Sequence, residues 1–429
     1  MRDPSARPPA AAPDRLLRAV YGATFFVRFA FGLTVSVFAA YISGHFTGLS
    51  GGEVGLVGAI TAAAPIGEFS TVLLSGIQAD RYGRFPVLLA GMAGAAGTFL
   101  LVSGTRAGPL LSVANLLFGV ASGAILAASL AVVADRADRT GRGAAMGRFD
   151  SMNLLGWVLG FAVGFGVLGS VPNGDLVWVF RLGAAALGLG LGFVLWEIRG
   201  ETEPGRTATI DLRAIRDAVL RRGVLLVTLP WLVIYMLIGA AFAYLGSAGS
   251  GIGVPPWELA ALIGGGGLAL LVTQPFFGGL ADRFGRFPLM VVGTSGFLGL
   301  MASLVAVISW GPRPELLGAV GASALAALAY GPAALAALAD LTRLLTRGTT
   351  MALYSLVLSV GMILGLLVVS SLYSAFGPFG LDLFFALLAV ALLALTILRG
   401  HDLRSAPPEP PAAGPGPEGG PDPLTIPVR

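Results

Sequence analysis

The sequence predicts an all-α integral membrane protein with twelve transmembrane helices in two pseudo-symmetric six-helix bundles. Apolar residues make up 55% of the 429 residues and charged residues only 12%. A soluble chain of this length could not bury that much apolar surface, so the solvent of the fold is lipid. Twelve apolar stretches are each long enough to cross about 30 Å of hydrocarbon as a helix. A loop sequence in the first half also returns in the second half.

The predicted spans follow one another with short connections. Their approximate limits are 19–42, 54–77, 86–104, 109–133, 149–169, 176–197, 224–246, 257–280, 288–309, 314–338, 352–374 and 379–398. We predict a disordered tail over 1–15, a first bundle over 16–198, a cytoplasmic linker over 199–223, a second bundle over 224–400 and a Pro/Gly-rich disordered tail over 401–429. Residues 210–222 of the linker have the apolar stripe of an amphipathic helix.

Two sequence patterns occur once in each half of the chain. The stretch 76–86, GIQADRYGRFP, returns 202 residues later at 278–288 as GGLADRFGRFP. The pattern AD-(x)6-RG-(x)2-M spans Ala134–Met146 and again Ala339–Met351. In each half these patterns fall between predicted spans, so the sequence predicts a duplicated bundle with matching loops.

The positive charge lies in one alternating set of loops. The basic residues are all Arg, and the opposite loops carry only Arg106 and Arg313. This is the positive-inside pattern, which predicts a multi-pass protein of the cell membrane with both termini in the cytoplasm. It also argues against a nucleic-acid partner despite the net charge of +4. Trp178, Trp257 and Trp310 fall at predicted outer ends of spans, and Trp196 and Trp231 near inner ends, as interfacial anchors would.

Twelve spans, a repeat of six and the loop G-x-x-[AL]-D-R-x-G-R after the second span together resemble the major facilitator superfamily of secondary transporters. The resemblance covers about residues 15–400, and the DRYGR segment at 80–84 matches the signature of that superfamily. It implies alternating access, in which two six-helix domains rock around a substrate site at the bilayer midplane. A monomer is sufficient for this mechanism.

The resemblance implies that the repeated loops control this rocking. In the family, the aspartate that matches Asp80 locks the two domains together on the cytoplasmic side. Asp80 and Asp135 end helices, where the helix dipole disfavours an anion, so both require a partner. We expect Gly83 to form the tight turn and Gly76 to allow close helix approach. The alternative is that these residues only fix topology and the loop fold. The full set is Gly76, Asp80, Arg81, Gly83, Arg84, Asp135, Arg142, Gly278, Asp282, Arg283, Gly285, Arg286, Asp340 and Arg347.

Ionisable residues inside spans are few, which makes each a candidate for function. Arg28 and Glu68 both lie about eight residues from the cytoplasmic side, or about 12 Å deep. Equal depth and opposite charge predict an ion pair. Three roles remain open for it: proton coupling through Glu68, a permanent structural pair, or contact of Arg28 with an anionic substrate. The 202-residue offset places Leu270 opposite Glu68, so the second half has no counterpart.

Further candidates are polar or aromatic residues within spans, each also explicable by helix packing: Asn115, Asp150, Asn153, Trp157, Tyr235, Gln274, Tyr330 and Tyr354. Asp150, Asn153 and Trp157 share one face of the fifth span. Gly156, Gly160 and Gly164 resemble the antiporter motif of that span but lack its proline. In the fourth span Asn115 replaces the arginine usual in drug:proton antiporters.

These observations predict a secondary active transporter and not an enzyme. We expect proton-coupled efflux of a small hydrophobic or amphipathic organic molecule, with protons as coupling ion and the bilayer as surroundings. One alternative is a facilitator or importer of a polar or anionic metabolite; another is a receptor or scaffold that does not transport. No cofactor is expected, because no phosphate-binding glycine loop of the P-loop type is present and the two His residues lie outside the spans.

Overall fold

The computed structural model describes residues 14–45, 53–105, 107–136, 142–170, 176–200, 222–248, 256–311, 313–341 and 347–399. Within these ranges the chain forms helices joined by short turns, with no strand. The predicted all-α membrane fold is therefore confirmed. Residues 1–13, 201–221 and 400–429 and the side chain of Trp257 lie outside what the structure describes, so the two tails, the linker helix and that anchor stay predictions.

The first half contains six long helices, each overlapping one predicted span. They are α1 Arg15–His45, α2 Glu53–Tyr82, α3 Arg84–Gly104, α4 Gly108–Arg136, α5 Arg142–Ser170 and α6 Val177–Glu197. Several are longer than the predicted spans, because apolar composition marks the hydrocarbon region and a helix continues into the polar interface.

The second half is less regular. Its helices are α7 Arg222–Ala248, α8 Pro256–Phe284, α9 Arg286–Trp310, α10 Pro314–Ala327, α11 Tyr330–Leu341, α12 Arg347–Leu364 and α13 Ser370–Arg399, with a π-helix over Gly365–Val369. The predicted tenth span is thus divided into α10 and α11 at residues 328–329. Gly377 has a non-helical backbone, with φ 68° and ψ −173°, and separates the last two predicted spans within α13.

Length and composition of the described helices fit a membrane protein. Six helical stretches are long and apolar enough to cross a bilayer: Arg15–Phe38, Arg84–Gly104, Gly108–Val133, Val177–Glu197, Arg286–Val307 and Pro314–Leu338. Five shorter apolar helical stretches accompany them within the described chain. The helix bounds are consistent with twelve spans.

Glycines set the closest helix contacts in the first half. Helix α1 packs on α5, and α2 packs on α4. A Cβ at Gly160 would collide with the carbonyl oxygen of Phe29, and one at Gly119 with that of Ala64. Such contacts between small residues bring backbones together where lipid offers no hydrophobic driving force.

The helix pairs that join the two halves include α1 with α7, α2 with α7 and α12, and α5 with α8. Gly267 of α8 faces Val158 of α5 so closely that a Cβ there would collide with its side chain. Ala62 of α2 packs on Leu366 of the π-helix, and both are fully buried. Helices α2 and α5 therefore belong to the first bundle and also form its border with the second.

The two repeated loops have the same backbone and the same ring contact. Gly83 and Gly285 both have φ 93°, which confirms the expected tight turn. The guanidinium of Arg81 lies 5.4 Å from the ring centroid of Tyr82, and that of Arg283 lies 5.4 Å from the ring of Phe284. The duplication seen in the sequence is thus reproduced in three dimensions.

Two packing expectations are wrong. A Cβ added at Gly76 would meet no described atom within 4 Å, so Gly76 does not mark a close helix approach, and its counterpart Gly278 is equally open among the described residues. Trp231 is only 5% exposed and packs in the core of the second bundle, so it is no interfacial anchor. Trp178, Trp196 and Trp310 are exposed, as anchors should be.

Candidate functional site

Four helices of the first bundle bring polar side chains together in its interior. Arg28 comes from α1, Glu68 from α2, Ser122 from α4, and Asn153 and Trp157 from α5. We call these five residues the polar cluster. Arg28 is 6% exposed, Glu68 7% and Ser122 2%. Buried charges inside a membrane protein require partners, and each finds one here.

The predicted pairing of Arg28 with Glu68 is present. Nη2 of Arg28 lies 3.8 Å from Oε1 of Glu68, which is an ion pair without a direct hydrogen bond. The hydrogen bond from Nε of Arg28 goes instead to Oδ1 of Asn153, at 2.7 Å. The guanidinium also lies 5.9 Å from the ring centroid of Trp157, within range of a cation–π contact. Arg28 is therefore held by α2 and α5 at once.

The two carboxylate oxygens of Glu68 have different surroundings. The hydroxyl of Ser122 donates a hydrogen bond to Oε2, at 2.9 Å. Oε1 is buried and accepts no hydrogen bond from any described residue. Oε1 of Glu68 therefore has unused capacity to accept a hydrogen bond. Sequence reasoning did not include Ser122, although it lies seven residues from Asn115 and thus on the same face of α4.

Small residues allow the cluster to form. A Cβ at Gly156 would stand 3.0 Å from the Cβ of Arg28, and a Cβ at Gly123 would stand 3.2 Å from the carbonyl oxygen of Glu68. Gly156, Gly160 and Gly164 all pack on α1, so the glycine ladder of the fifth span fixes the bundle interior. The same α5 face carries Asn153 and Trp157 towards Arg28, as the three- and four-residue spacing predicts.

A small internal cavity of about 20 Å³ lies one helical turn beyond the cluster. Its lining includes Phe31 of α1, Ala64 of α2 and Phe118 of α4, which are three or four residues from Arg28, Glu68 and Ser122. Asn115 also lines it and donates from Nδ2 to the carbonyl oxygen of Ile60, at 3.0 Å. This space is sufficient for one water molecule. Asn115 therefore lines the cavity, about two helical turns from Ser122 along α4.

The aromatic candidates of the second half differ in how deeply their side chains are buried. Tyr330 is 1% exposed, and its hydroxyl donates to the carbonyl oxygen of Val227 at 2.7 Å. That hydrogen bond joins α11 to α7, which is the helix-packing role that the sequence left open for Tyr330. Tyr235 is half-buried and contacts α12 near Gly361. The side chains of Asp150, Gln274 and Tyr354 lie outside the described part of the structure.

The charges of the repeated loops are described only in part. Nη1 of Arg286 donates to the carbonyl oxygen of Ala281 at 3.1 Å, which fastens the start of α9 to the end of α8. The side chains that would complete the charge cluster lie outside the described residues, so the cluster stays a prediction: Asp80, Asp135, Arg142, Asp282, Asp340 and Arg347.

Two further ion pairs among the described residues were not anticipated from the sequence: Arg136 with Asp14, at 3.7 Å between Nη1 and Oδ2, and Arg18 with Glu197. Nε and Nη2 of Arg18 donate to the two carboxylate oxygens of Glu197, at 3.2 and 3.1 Å. The pair joins the first turn of α1 to the end of α6, and Glu197 is 5% exposed. Residues 179 positions apart share no local pattern, so only the folded bundle reveals the contact.

Apolar helices of membrane-crossing length and a buried ion pair in their interior define a multi-pass membrane protein. A sequence profile of the Major Facilitator Superfamily matches residues 20–311 and 250–426. The chain therefore belongs to this superfamily of transporters. No curated protein sequence matches the chain at a significant level.

Solved structures share the fold. The human organic anion transporter MFSD10 (TETRAN) is similar with a TM-score of 0.66 at 19% sequence identity, over 91% of this chain and 100% of that chain. The nucleoside transporter NupG, solved as a point mutant, is similar with a TM-score of 0.64 at 14% identity, over 89% of this chain and 99% of that chain. At these identities the likeness concerns the fold alone.

Proposed function

We propose that the protein is a secondary active transporter that works by alternating access and couples efflux of a small hydrophobic or amphipathic organic molecule to protons. The observation that carries the proposal is the buried carboxylate of Glu68, whose Oε1 has no hydrogen-bond donor among the described residues and faces Arg28. Intramembrane acids of this kind are typical of proton relays. We place the protein in the cell membrane with both termini in the cytoplasm.

The coupling step that we propose begins with a neutral cluster, in which the charges of Arg28 and Glu68 cancel. A proton on Oε1 removes the negative charge and leaves Arg28 without its counter-ion in a medium of low dielectric constant. The new charge favours any rearrangement that brings Arg28 towards water or another anion. Because α2 and α5 also border the second bundle, a change at Glu68 acts where the two halves meet.

The proposed substrate class rests on the second half of the chain. Its predicted counterpart of Glu68 is Leu270, and Tyr330 is engaged in packing. The wall that this half offers to a substrate is then mostly apolar and aromatic, with Tyr235 half-buried at its border with α12. Such a wall suits a hydrophobic or amphipathic molecule better than a highly polar one.

An anionic substrate that binds Arg28 directly is the rival. MFSD10 is described as an organic anion transporter, so we retain organic anions as the alternative substrate class. The contacts of Arg28 argue against it, since its Nε is bound to Asn153 and its side chain is 7% exposed. An anion would have to displace Glu68 and open the cluster. We therefore favour a coupling role.

The test uses proteoliposomes loaded with a pH-sensitive dye and a library of lipophilic cations, lipids, sugars and organic acids. Substrate-dependent proton movement by the parent chain, lost in Glu68→Gln and kept in the exposed control Glu315→Gln, supports the proposal. Substrate flux without proton movement, equal in all three chains, makes the protein a facilitator and Arg28–Glu68 a structural pair. Flux of anions alone that collapses in Arg28→Ala favours the rival. No flux of any compound favours a receptor or scaffold.

A further inference from the structure

Three glycines on one face of α3 recur at matching positions on α9. They are Gly91, Gly94 and Gly97 in the first half and Gly293, Gly296 and Gly299 in the second, each 202 residues further along. The spacing of three residues keeps each set on one side of its helix. The two sets nevertheless have different surroundings.

The glycines of α9 form a closed helix contact. A Cβ at Gly293 would collide with the backbone of Tyr330, and one at Gly299 would lie 2.7 Å from the hydroxyl of Ser323. Gly296 meets the backbone at Ala326 and Ala327 in the same way. The neighbouring helices α10 and α11 therefore cover this face completely.

The glycines of α3 are covered only at one end. Gly91 packs on Ile125 of α4, with 2.8 Å from its hypothetical Cβ to Cγ1. Among the described residues, a Cβ at Gly94 would have one neighbour, the Cβ of Ala121 at 3.6 Å, and a Cβ at Gly97 would have none within 4 Å. The result is a crevice of about 720 Å³ between α2, α3 and α4, with an apolar floor that includes Ala90, Ala124 and Leu101.

The end of this crevice near the loop is polar. Gln78 and Tyr82 of α2 line it, and Tyr82 is 61% exposed. The guanidinium of exposed Arg81 lies 5.4 Å from the Tyr82 ring, which places a positive charge at the entrance. The matching residues of the second half are Leu280 and Phe284, so an amide and a hydroxyl are replaced there by apolar groups. An open apolar crevice and hydrogen-bonding groups at its entrance thus occur together in the same half.

We propose that this crevice binds one acidic phospholipid from the leaflet on the Arg-rich side. Its phosphate contacts Arg81 and the Tyr82 hydroxyl, and one acyl chain lies along the glycine face of α3. From Pro86 to Leu101 the crevice follows about 22 Å of helix, most of the hydrocarbon core, so an extended chain fits along it. A positive entrance above an apolar floor matches a lipid with an anionic headgroup in both charge and polarity.

The full chain is reconstituted in vesicles of equal parts phosphatidylcholine and phosphatidylglycerol, extracted in mild detergent and weighed with its bound lipid by native mass spectrometry. We expect one retained phosphatidylglycerol. Arg81→Gln lowers its occupancy about fivefold, as loss of one basic group near the membrane surface predicts. Arg283→Gln, the matching residue of the other half, leaves the occupancy unchanged.

A second pair of variants fills the space instead of removing the charge. Gly97→Leu occupies the crevice and removes the bound lipid, whereas Gly188→Leu, on α6 with no neighbour within 4 Å of its Cβ, does not. Equal lipid loss in Arg81→Gln and Arg283→Gln, equal retention of phosphatidylcholine, or full retention in Gly97→Leu would each overturn the proposal. The thermal unfolding midpoint of every variant in detergent verifies that it is folded. None of these outcomes depends on proton coupling.

Discussion

Gly83 and Gly285 adopt the same backbone conformation 202 residues apart, with φ 93° in both and ψ 153° and 157°. Each residue stands immediately before a helix, and an Arg–aromatic contact precedes each in the chain. A side chain is strained at this φ, so glycine is required for the turn in both halves. The repeat is therefore present in the backbone conformation as well as in the amino-acid sequence.

Gly83→Ala is expected to destabilise the protein by about 1–3 kcal/mol, because an L side chain is forced into a region that glycine alone populates. The thermal unfolding midpoint in detergent measures the effect. Gly76→Ala is the control in the same repeat, since its added Cβ meets no described atom within 4 Å. Equal behaviour of the two variants would show that the turn relaxes without cost.

Ser122→Ala is expected to cost about 1.5–3 kcal/mol of stability, because it removes a hydrogen bond to a charged group. The control is Ser129→Ala, seven residues along the same helix. Oγ of Ser129 is fully buried and has no hydrogen-bond partner among the described residues, so its loss is neutral or stabilising. Chemical or thermal unfolding of both variants checks the difference. An equal loss in both would mean that the Ser122–Glu68 bond contributes nothing.

Arg28→Gln is expected to destabilise the bundle by about 3–5 kcal/mol, because it leaves the buried carboxylate of Glu68 without a counter-charge. The double variant Arg28→Gln/Glu68→Gln removes both charges and regains most of the loss. A double-mutant cycle on the free energies of unfolding gives the coupling free energy of the pair. Additive effects of the single variants would show that the 3.8 Å pair is energetically irrelevant.

Gly156→Ala is expected to cost about 1–3 kcal/mol, because the added methyl group presses α1 and α5 apart at Arg28. The same displacement of α1 from α5 weakens the Arg28–Asn153 hydrogen bond and lowers transport in proteoliposomes. Gly188→Ala, on the open face of α6, raises stability by about 0.5–1 kcal/mol through helix propensity alone. If both variants gained stability, the α1–α5 contact would have to be more tolerant than the structure indicates.

Much of the fold follows from the sequence, since length of apolar stretch and Arg placement are direct consequences of the bilayer. Each of the six helices of the first half overlaps one predicted span. The break at 328–329 was not predicted, because the local composition there stays apolar and carries no polar loop. The bend at Gly377 falls in the gap that was predicted between the spans 352–374 and 379–398. The turn at Gly83 was predictable from the motif.

The polar cluster was predictable only in part. Equal depth led to the Arg28–Glu68 pair, and helical spacing put Asn153 and Trp157 on one face. Sequence could not decide which side of a helix faces the bundle interior, so Ser122 was overlooked among many small polar residues of α4. For the same reason the sequence left both packing and ligand binding open for Tyr330 and predicted an anchor at Trp231, although both residues lie in the core of the second bundle.

The cancellation of charge between Arg28 and Glu68 has an electrical consequence. While both are ionised the cluster carries no net charge, and the membrane voltage exerts almost no force on it. Addition of a proton to Glu68 leaves one positive charge inside the field. Moving one elementary charge across the whole membrane changes its free energy by about 2.3 kcal/mol per 100 mV of membrane potential. If the Arg-rich loops are cytoplasmic, a proton from the outside traverses more than half of that field before it reaches Glu68. If Glu68 is the proton site that we propose, an inside-negative potential drives its loading in addition to the proton gradient.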